Sequence, residues 1–483
     1  MREMRDADWI ELDRLVEDAM KCWAIPGLAI AVVQGDDTIL LKGYGVRELG
    51  ASAAVTPDTQ FMICSLTKSI NAAGIALLVD EKRLNWDTRV REILPEFQLR
   101  DPAATEAITV ADLLAHRSGL PRHDRIWSLP EERSRERILD AMRYLQSSRP
   151  LREAYQYSNL GYIVAGMVAE RLSGQSWEQF TTQRLLSPLG FRKFGFSTDT
   201  LVSAADFAHP HVRDGRHARR TRLWPMHATP AGGIHTCATD MARWLRLLLS
   251  RGRVDGAQIV SQAAVTAMMT PHIDADDSGF AEIGRNQYGY GLTCQLYRGE
   301  RTVSHTGSLP GWGSLLSVMP DREIGVVVLT NRDPCPVREL ITYAVFDRLC
   351  TLSPIDWFEI FHARRQSTLE KEEADARRFG TNGIVVPYPD ELLKHFTGEY
   401  SNSAYGTISI THNTSGMRWS WRGLKGRLVY RGESSLQLKE DDEARLSDLV
   451  FTFGRNADGV VTRLRSPLEP EVSDIVFRRQ LAA

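Results

Sequence analysis

Strand-forming patterns stand at both ends of the first 350 or so residues, and helical patterns fill the interval between them. Few folds accommodate that order. Residues 28–34 and 38–43 are apolar-rich runs joined by Gln34-Gly35-Asp36-Asp37, which reads as a hairpin turn. Strand signals return at residues 302–306, 313–319 and 324–330, and a helix over 337–349 follows them. The two ends are expected to share one antiparallel sheet, with residues from about 85 to 285 inserted as helices and loops. Trp9, Ile10, Leu12, Leu15, Val16 and Ala19 recur at helical spacing and predict an opening amphipathic helix. Residues 61–79 read as a buried helix carrying Ser65 near its start, and 110–115, 160–172 and 240–249 as further helices. The second of these stops at Leu172-Ser173-Gly174, a glycine-terminated end.

The pattern changes beyond residue 352. A charged helical stretch over 356–378 leads into Phe379-Gly380-Thr381-Asn382-Gly383, which reads as a linker. Short alternating runs at 406–411, 417–421, 449–453 and 475–478 then predict a small antiparallel β-barrel. The expected division is a large domain over residues 1–352, a helical linker over 353–390 and a barrel domain over 391–483. A chain of 483 residues suits one large and one small domain.

Composition excludes several function classes. A net charge of −2 provides no cationic excess for nucleic acid. Fifty of the 59 basic residues are arginine, which coding bias explains and which names no partner. The six cysteines are scattered without a C-x-x-C pair, so neither a zinc site nor a disulfide framework is expected. Residues 1–20 carry acidic side chains and lack the apolar core of a signal peptide, and no apolar run approaches 18 residues. A cytoplasmic protein with no membrane partner is the expectation.

Three short motifs carry the chemistry. Ser65-Leu66-Thr67-Lys68 places a hydroxyl and an amine three residues apart, on one face of a helix start. A buried lysine loses affinity for its proton and becomes a credible base for a serine that is too weakly acidic to act alone. Tyr157-Ser158-Asn159 lies just before a helix, and a phenol can carry a proton only if a nearby cation, here Lys68, lowers its pKa. His305-Thr306-Gly307 ends a predicted strand, where Gly307 would let a substrate backbone approach closely.

In this order and rough spacing the motifs resemble those of the penicillin-recognising serine hydrolases. The likeness is to the branch of class C β-lactamases, D-alanyl-D-alanine peptidases, D-aminopeptidases and related esterases. Leu113 to Leu120, Pro188 to Phe191 and Pro230 to Ile234 look like framework segments of the same family. The resemblance implies a β-lactamase-like α/β (α+β) fold, an antiparallel sheet flanked by helices, over residues of about 10 to 350. It also implies roles. Ser65 would be the nucleophile, Lys68 and Tyr157 the proton carriers, and Asn159 a hydrogen-bonding partner of Lys68 and the substrate amide. The N–H groups of Ser65 and Ser308 would hold the oxyanion, in a binding strand with His305, Thr306 and Gly307. Trp312, just beyond that strand, is expected to line an apolar acyl pocket, with core packing the default for Trp127 and Trp224. Where class C β-lactamases have lysine, this chain has His305, mostly neutral near pH 7 and a poor attractor of a β-lactam carboxylate.

The C-terminal segment, with Phe396-Thr397-Gly398-Glu399-Tyr400, resembles the lipocalin-like barrel of some family members, where it restricts access to the site or mediates assembly. A homo-oligomer therefore stays open. Small esters, amides or short peptides, D-amino-acid derivatives included, are the expected substrates, with no metal or organic cofactor. His209, His211, His217 and His227 lack acidic partners at ligand spacing and predict no metal site. Cys64 should point away from the Ser65 side chain and pack inward. Two alternatives share these motifs: acyl transfer to an alcohol or amine, and a non-catalytic binding or sensor protein.

Overall fold

The computed structural model describes residues 4–131, 134–226, 230–277, 279–379, 393–414, 416–432, 434–440 and 449–480. Its central element is an eight-stranded antiparallel sheet. The order is Asp37–Gly45, Gly27–Gln34, Ile324–Thr330, Trp312–Met319, Glu300–Leu309, Thr293–Tyr297, Gln287–Tyr288 and Ile273–Asp274. The N-terminal hairpin docks on the last strand of the large domain in the register Leu28↔Thr330 to Gln34↔Ile324. The ends of the domain thus meet in one sheet, as their patterns require. The sheet also extends further than expected, because the strand Ile273–Asp274 lies in a stretch read from sequence as helix and loop.

Period-two alternation decides what each sheet face covers. Leu28, Ile30, Val32, Val326 and Val328 pack with Leu12 and Val16 of the helix Asp6–Cys22 and with Leu340 and Ile341 of the helix Val337–Leu349. Ala29, Ala31, Val33, Val327 and Leu329 face the other core, which holds the helix Ala238–Leu249 and the helical insertion. Both faces are buried, so these central strands read as continuous apolar runs.

The start of the predicted helix over 61–79 is corrected. Phe61–Met62 is a short strand paired with His235–Thr236, a 3₁₀ turn occupies Cys64–Leu66, and the α-helix runs Thr67–Asp80. The turn opens with Cys64, whose φ of +52° lies in the left-handed region. That helix is pinned to the helix Asn159–Ser173 by buried Asn71, which donates to the Tyr162 carbonyl at 2.9 Å and accepts from Trp177 Nε1 at 3.0 Å. Gly174 caps the latter helix at φ +72°.

A helix at Trp357–Phe379 follows the large domain; Gly380 to Gly383, read as linker, lie outside the described residues. The C-terminal segment closes into an eight-stranded antiparallel barrel from Gly398–Asn402 to Ile475–Arg479, its first strand pairing with its last at Tyr400↔Arg479. Alternate residues fill its interior, with Trp419, Trp421, Phe451 and Phe477 almost wholly buried. Among the described residues no helix is long and apolar enough to cross a membrane.

The barrel grips the large domain through Arg422. Its guanidinium donates to the carbonyls of Arg125 (2.8 Å), Ile126 (2.9 Å) and Glu131 (3.0 Å). Arg422→Ala is expected to lower stability by about 2 kcal/mol, because these carbonyls lose a charged donor. Chemical denaturation of both proteins measures the difference.

Candidate active site

Ser65 sits half-buried in the 3₁₀ turn, and Lys68 one turn later is wholly buried. Lys68 Nζ lies 3.1 Å from Ser65 Oγ, 2.7 Å from Asn159 Oδ1 and 2.7 Å from the Ala231 carbonyl. Tyr157 Oη donates to Ser65 Oγ at 3.0 Å. Sequence positions separated by more than 90 residues therefore converge on one hydroxyl. Cys64 is buried beside it, its thiol donating to the Met62 carbonyl at 3.4 Å and held above its usual pKa by burial.

Electrostatics distinguish Lys68 from Tyr157. Burial, reinforced by the charge of Arg122, drives the Lys68 pKa well below that of a free lysine, while Asp124 opposes the shift. Burial drives Tyr157 the other way, upward, although the hydrogen bond to Ser65 and the charge of Arg122 oppose it. The expectation that a neighbouring cation lowers the phenol is thus corrected: loss of water outweighs the cation. At rest the site pairs a neutral phenol with a lysine biased toward its neutral form.

His116, read from sequence only as framework, supports this loop. Its Nδ1 accepts from the Ser158 amide at 3.1 Å, and its ring lies 4.3 Å from that of Tyr157. Asp124 and Arg122 were not singled out by any motif. Asp124 Oδ1 accepts from Asn159 Nδ2 (2.8 Å) and Trp127 Nε1 (3.0 Å), and its other oxygen accepts from Arg122 Nε (2.7 Å). Arg122 lies 4.9 Å from the centre of the Tyr157 ring. No spacing rule links residue 124 to residue 159, so only the folded loop reveals the pair.

His305 is buried, with Nδ1 donating to the Thr306 carbonyl at 2.6 Å and Nε2 accepting from Tyr288 Oη at 2.9 Å. A carbonyl can only accept, which assigns the proton to Nδ1. Burial and the nearby Lys68 charge bring its pKa down to about 3, so it is neutral at physiological pH. Thr306 is exposed, and Ser308 borders the cavity with Oγ donating to Asp333 at 3.0 Å. Gly307 has a steric reason within the fold besides the one expected. A Cβ there would meet Ser314 Oγ at 2.2 Å and the Ile63 carbonyl at 2.6 Å, so glycine is required where the strand crosses the turn before Ser65. Trp312 is also corrected. It is 2% exposed and packs edge-on against Phe61, because its position on the strand points into the core. Trp127 and Trp224 border the cavity in its place.

That cavity, of about 440 Å³, opens on Ser65 and Asn159 and carries apolar walls from Trp127, Trp224, Met226 and Leu309. Part of its rim comes from the barrel, as Leu468, Glu469 and Pro470. Buried Glu469 accepts from the His123 amide at 2.6 Å, and Tyr405 Oη lies 2.7 Å from His123 Nδ1. His211 is engaged elsewhere, accepting from the Leu49 amide at 3.1 Å, and His209 lies 3.3 Å from Glu48; His227 lies outside the described residues.

Raising the pH is expected to increase kcat/KM through the depressed Lys68 pKa, since only the neutral amine can accept a proton. Arg122→Gln removes a repelling positive charge, lets that pKa rise and moves the acid limb to higher pH. Asp124→Asn removes an attracting charge and moves it to lower pH. Because Arg122 is solvent-exposed, its shift should shrink with added salt. pH–rate profiles of the three proteins at two ionic strengths check both signs.

Comparison with known proteins agrees with this architecture. The chain is 29% identical over 425 residues to the unguisins hydrolase ungD' of Aspergillus campestris, covering 84% of this chain and 77% of that protein. It is 31% identical over 317 residues to penicillin-binding protein 4 of Amycolatopsis lactamdurans, covering 64% of this chain and 81% of that protein. The fold matches the octameric penicillin-binding protein homologue from Pyrococcus abyssi with a TM-score of 0.63 at 23% identity, over 98% of this chain and all of that one. Residues 12–348 match the Beta-lactamase family. The chain therefore belongs to the Beta-lactamase family, the serine hydrolases of β-lactamase and penicillin-binding-protein type.

Proposed function

We propose that this protein hydrolyses ester or amide bonds of small substrates through an acyl-enzyme on Ser65. The observation carrying this reading is that one hydroxyl, Ser65 Oγ, lies 3.1 Å from Lys68 Nζ and 3.0 Å from Tyr157 Oη at the wall of a cavity. A neutral lysine has two N–H groups and one lone pair. With the N–H groups on Asn159 Oδ1 and the Ala231 carbonyl, the lone pair is left for the Ser65 proton. Lys68 takes that proton as Ser65 Oγ attacks the substrate carbonyl carbon. The oxyanion rests on the N–H groups of Ser65 and Ser308. Tyr157 gives its proton to the leaving oxygen or nitrogen and takes one back from Lys68. In the second half, Tyr157 and Lys68 pass a proton from water to the departing Ser65 oxygen as water attacks the acyl carbon.

A cavity of about 440 Å³ with aromatic and aliphatic walls suits a small acyl group, D-aminoacyl groups included. The neutral, buried His305 offers no charge to a β-lactam carboxylate. The test is one panel of chromogenic substrates: short and long acyl esters, D- and L-aminoacyl anilides, and a cephalosporin. Turnover of an ester or anilide without the cephalosporin is expected. Silence across the panel, or a cephalosporin turned over in preference to the rest, overturns the reading.

A further inference from the structure

Beside the catalytic cavity lies a larger one, of about 840 Å³, that shares Trp224, Pro310 and Asp333 with it. Among the described residues its lining includes seven arginines and two carboxylates, Asp333 and Glu339. They converge from separate places in the chain. Arg332 and Arg338 are buried at its floor, Arg213 stands on the hairpin of His211–Asp214 and His217–Arg220, and Arg364 and Arg365 project from the helix Trp357–Phe379.

Most of a guanidinium's demands can be met by protein groups, and at Arg338 they are, its Nε excepted. It donates to the Gly307 carbonyl at 2.6 Å and the Ser314 carbonyl at 3.2 Å, and lies 3.4 Å from Asp333 and 3.7 Å from Glu339. The two carboxylates of the lining thus already face one arginine. Arg364 lies 3.6 Å over the Phe280 ring and donates to the Gly279 carbonyl at 2.9 Å.

Arg332 differs. It is 2% exposed and its Nε, like that of Arg338, has no hydrogen-bond partner, but its one hydrogen bond among the described residues, from a terminal nitrogen, reaches the Pro334 carbonyl only at 3.4 Å. Among the described residues no carboxylate lies within ion-pairing distance of it. Burial and the charges of Arg365 and Arg213 disfavour its protonated form, while Cys335 and Asp333 oppose the shift. Arginine nonetheless keeps its proton in proteins, so the charge persists in a dry place crowded with like charges. A buried charge is expected to be paired, and Arg332, which has no ion pair among the described residues and borders an open cavity, is placed to receive an anion from outside the chain.

We propose that this second cavity binds an oxyanion, a carboxylate or phosphate group on a small molecule, with Arg332 as its buried counter-charge and Arg213 and Arg365 adding to the field. Guanidinium recognises both groups through the same planar pair of donors. The group belongs either to a free small molecule or to the acidic arm of a substrate whose scissile bond lies in the adjoining cavity.

The test is calorimetric titration of the full-length Ser65→Ala protein with pyrophosphate and, separately, citrate at low salt. Using that background keeps binding separate from turnover, so failure here leaves the hydrolase reading untouched. Saturable one-site binding is expected, weakened about tenfold or more by Arg332→Met and by a smaller factor by Arg213→Gln. Arg463→Gln on the barrel should leave it unchanged. Arg213 is exposed, so its variant preserves the test if Arg332→Met does not fold. The source of the anion is then read with wild type. If pyrophosphate raises KM for an ester without lowering kcat, the cavity holds a substrate arm; if KM is unmoved, it holds a separate ligand. Absence of binding into the millimolar range, or equal affinity with and without Arg332, overturns the proposal.

Discussion

Ser65→Ala should lower kcat by about 10⁴-fold or more on whichever ester or anilide the wild type turns over, with much less change in KM. Ser65 Oγ is the atom on which Lys68 and Tyr157 converge, and no other hydroxyl in the site has two such partners among the described residues. Its removal takes away a single oxygen at a half-buried position, so stability should change by less than about 1 kcal/mol. Thermal melts separate loss of chemistry from loss of fold. Covalent labelling by a fluorophosphonate provides a second readout, with the mass shift mapped to the peptide containing Ser65 in the wild type and missing from the variant. A variant retaining a tenth of the activity would remove Ser65 from the mechanism.

Lys68→Met should cost about 10³-fold in kcat and abolish the acid limb of the pH profile. Methionine has nearly the length of lysine and belongs in a wholly buried position, so the cavity stays filled. What disappears is the nitrogen that touches Ser65, Asn159 and the Ala231 carbonyl. Losing a donor to two buried acceptors costs roughly 1–3 kcal/mol, partly offset because a poorly solvated amine is no longer buried. The pH profile is the decisive measurement. A purely structural lysine would lower the rate at every pH and leave its shape unchanged, whereas a base removes the limb itself. The opposed shifts expected for Arg122→Gln and Asp124→Asn assign that limb to the same amine, since both charges act on it.

The adjoining cavities place these predictions in a wider frame. Asp333 accepts from Ser308 at the binding strand and also borders the arginine-lined space. Charge in the second cavity and geometry in the first therefore meet at one carboxylate. A substrate with an acidic arm would use both, and the inhibition pattern of pyrophosphate discriminates that case directly.

The sequence by itself determined the features that depend on near neighbours. Ser65 and Lys68 lie one helical turn apart, so their proximity follows from spacing alone. Period-two alternation gave away the barrel strands, and the strand runs at the two ends of the large domain required a shared sheet. Only the tertiary structure decided the rest. Alternation says that Trp312 and Gly307 have two faces to choose from, but the neighbours on each face come from residue 61 and from residues 63 and 314. The partnership of Asp124 with Asn159 spans 35 residues and a loop without periodicity. The upward shift of Tyr157 and the downward shift of Lys68 both follow from lost water, and burial is a property of the assembled core. Chain-local chemistry is written in spacing; solvent exclusion and long-range contact exist only after the chain has folded.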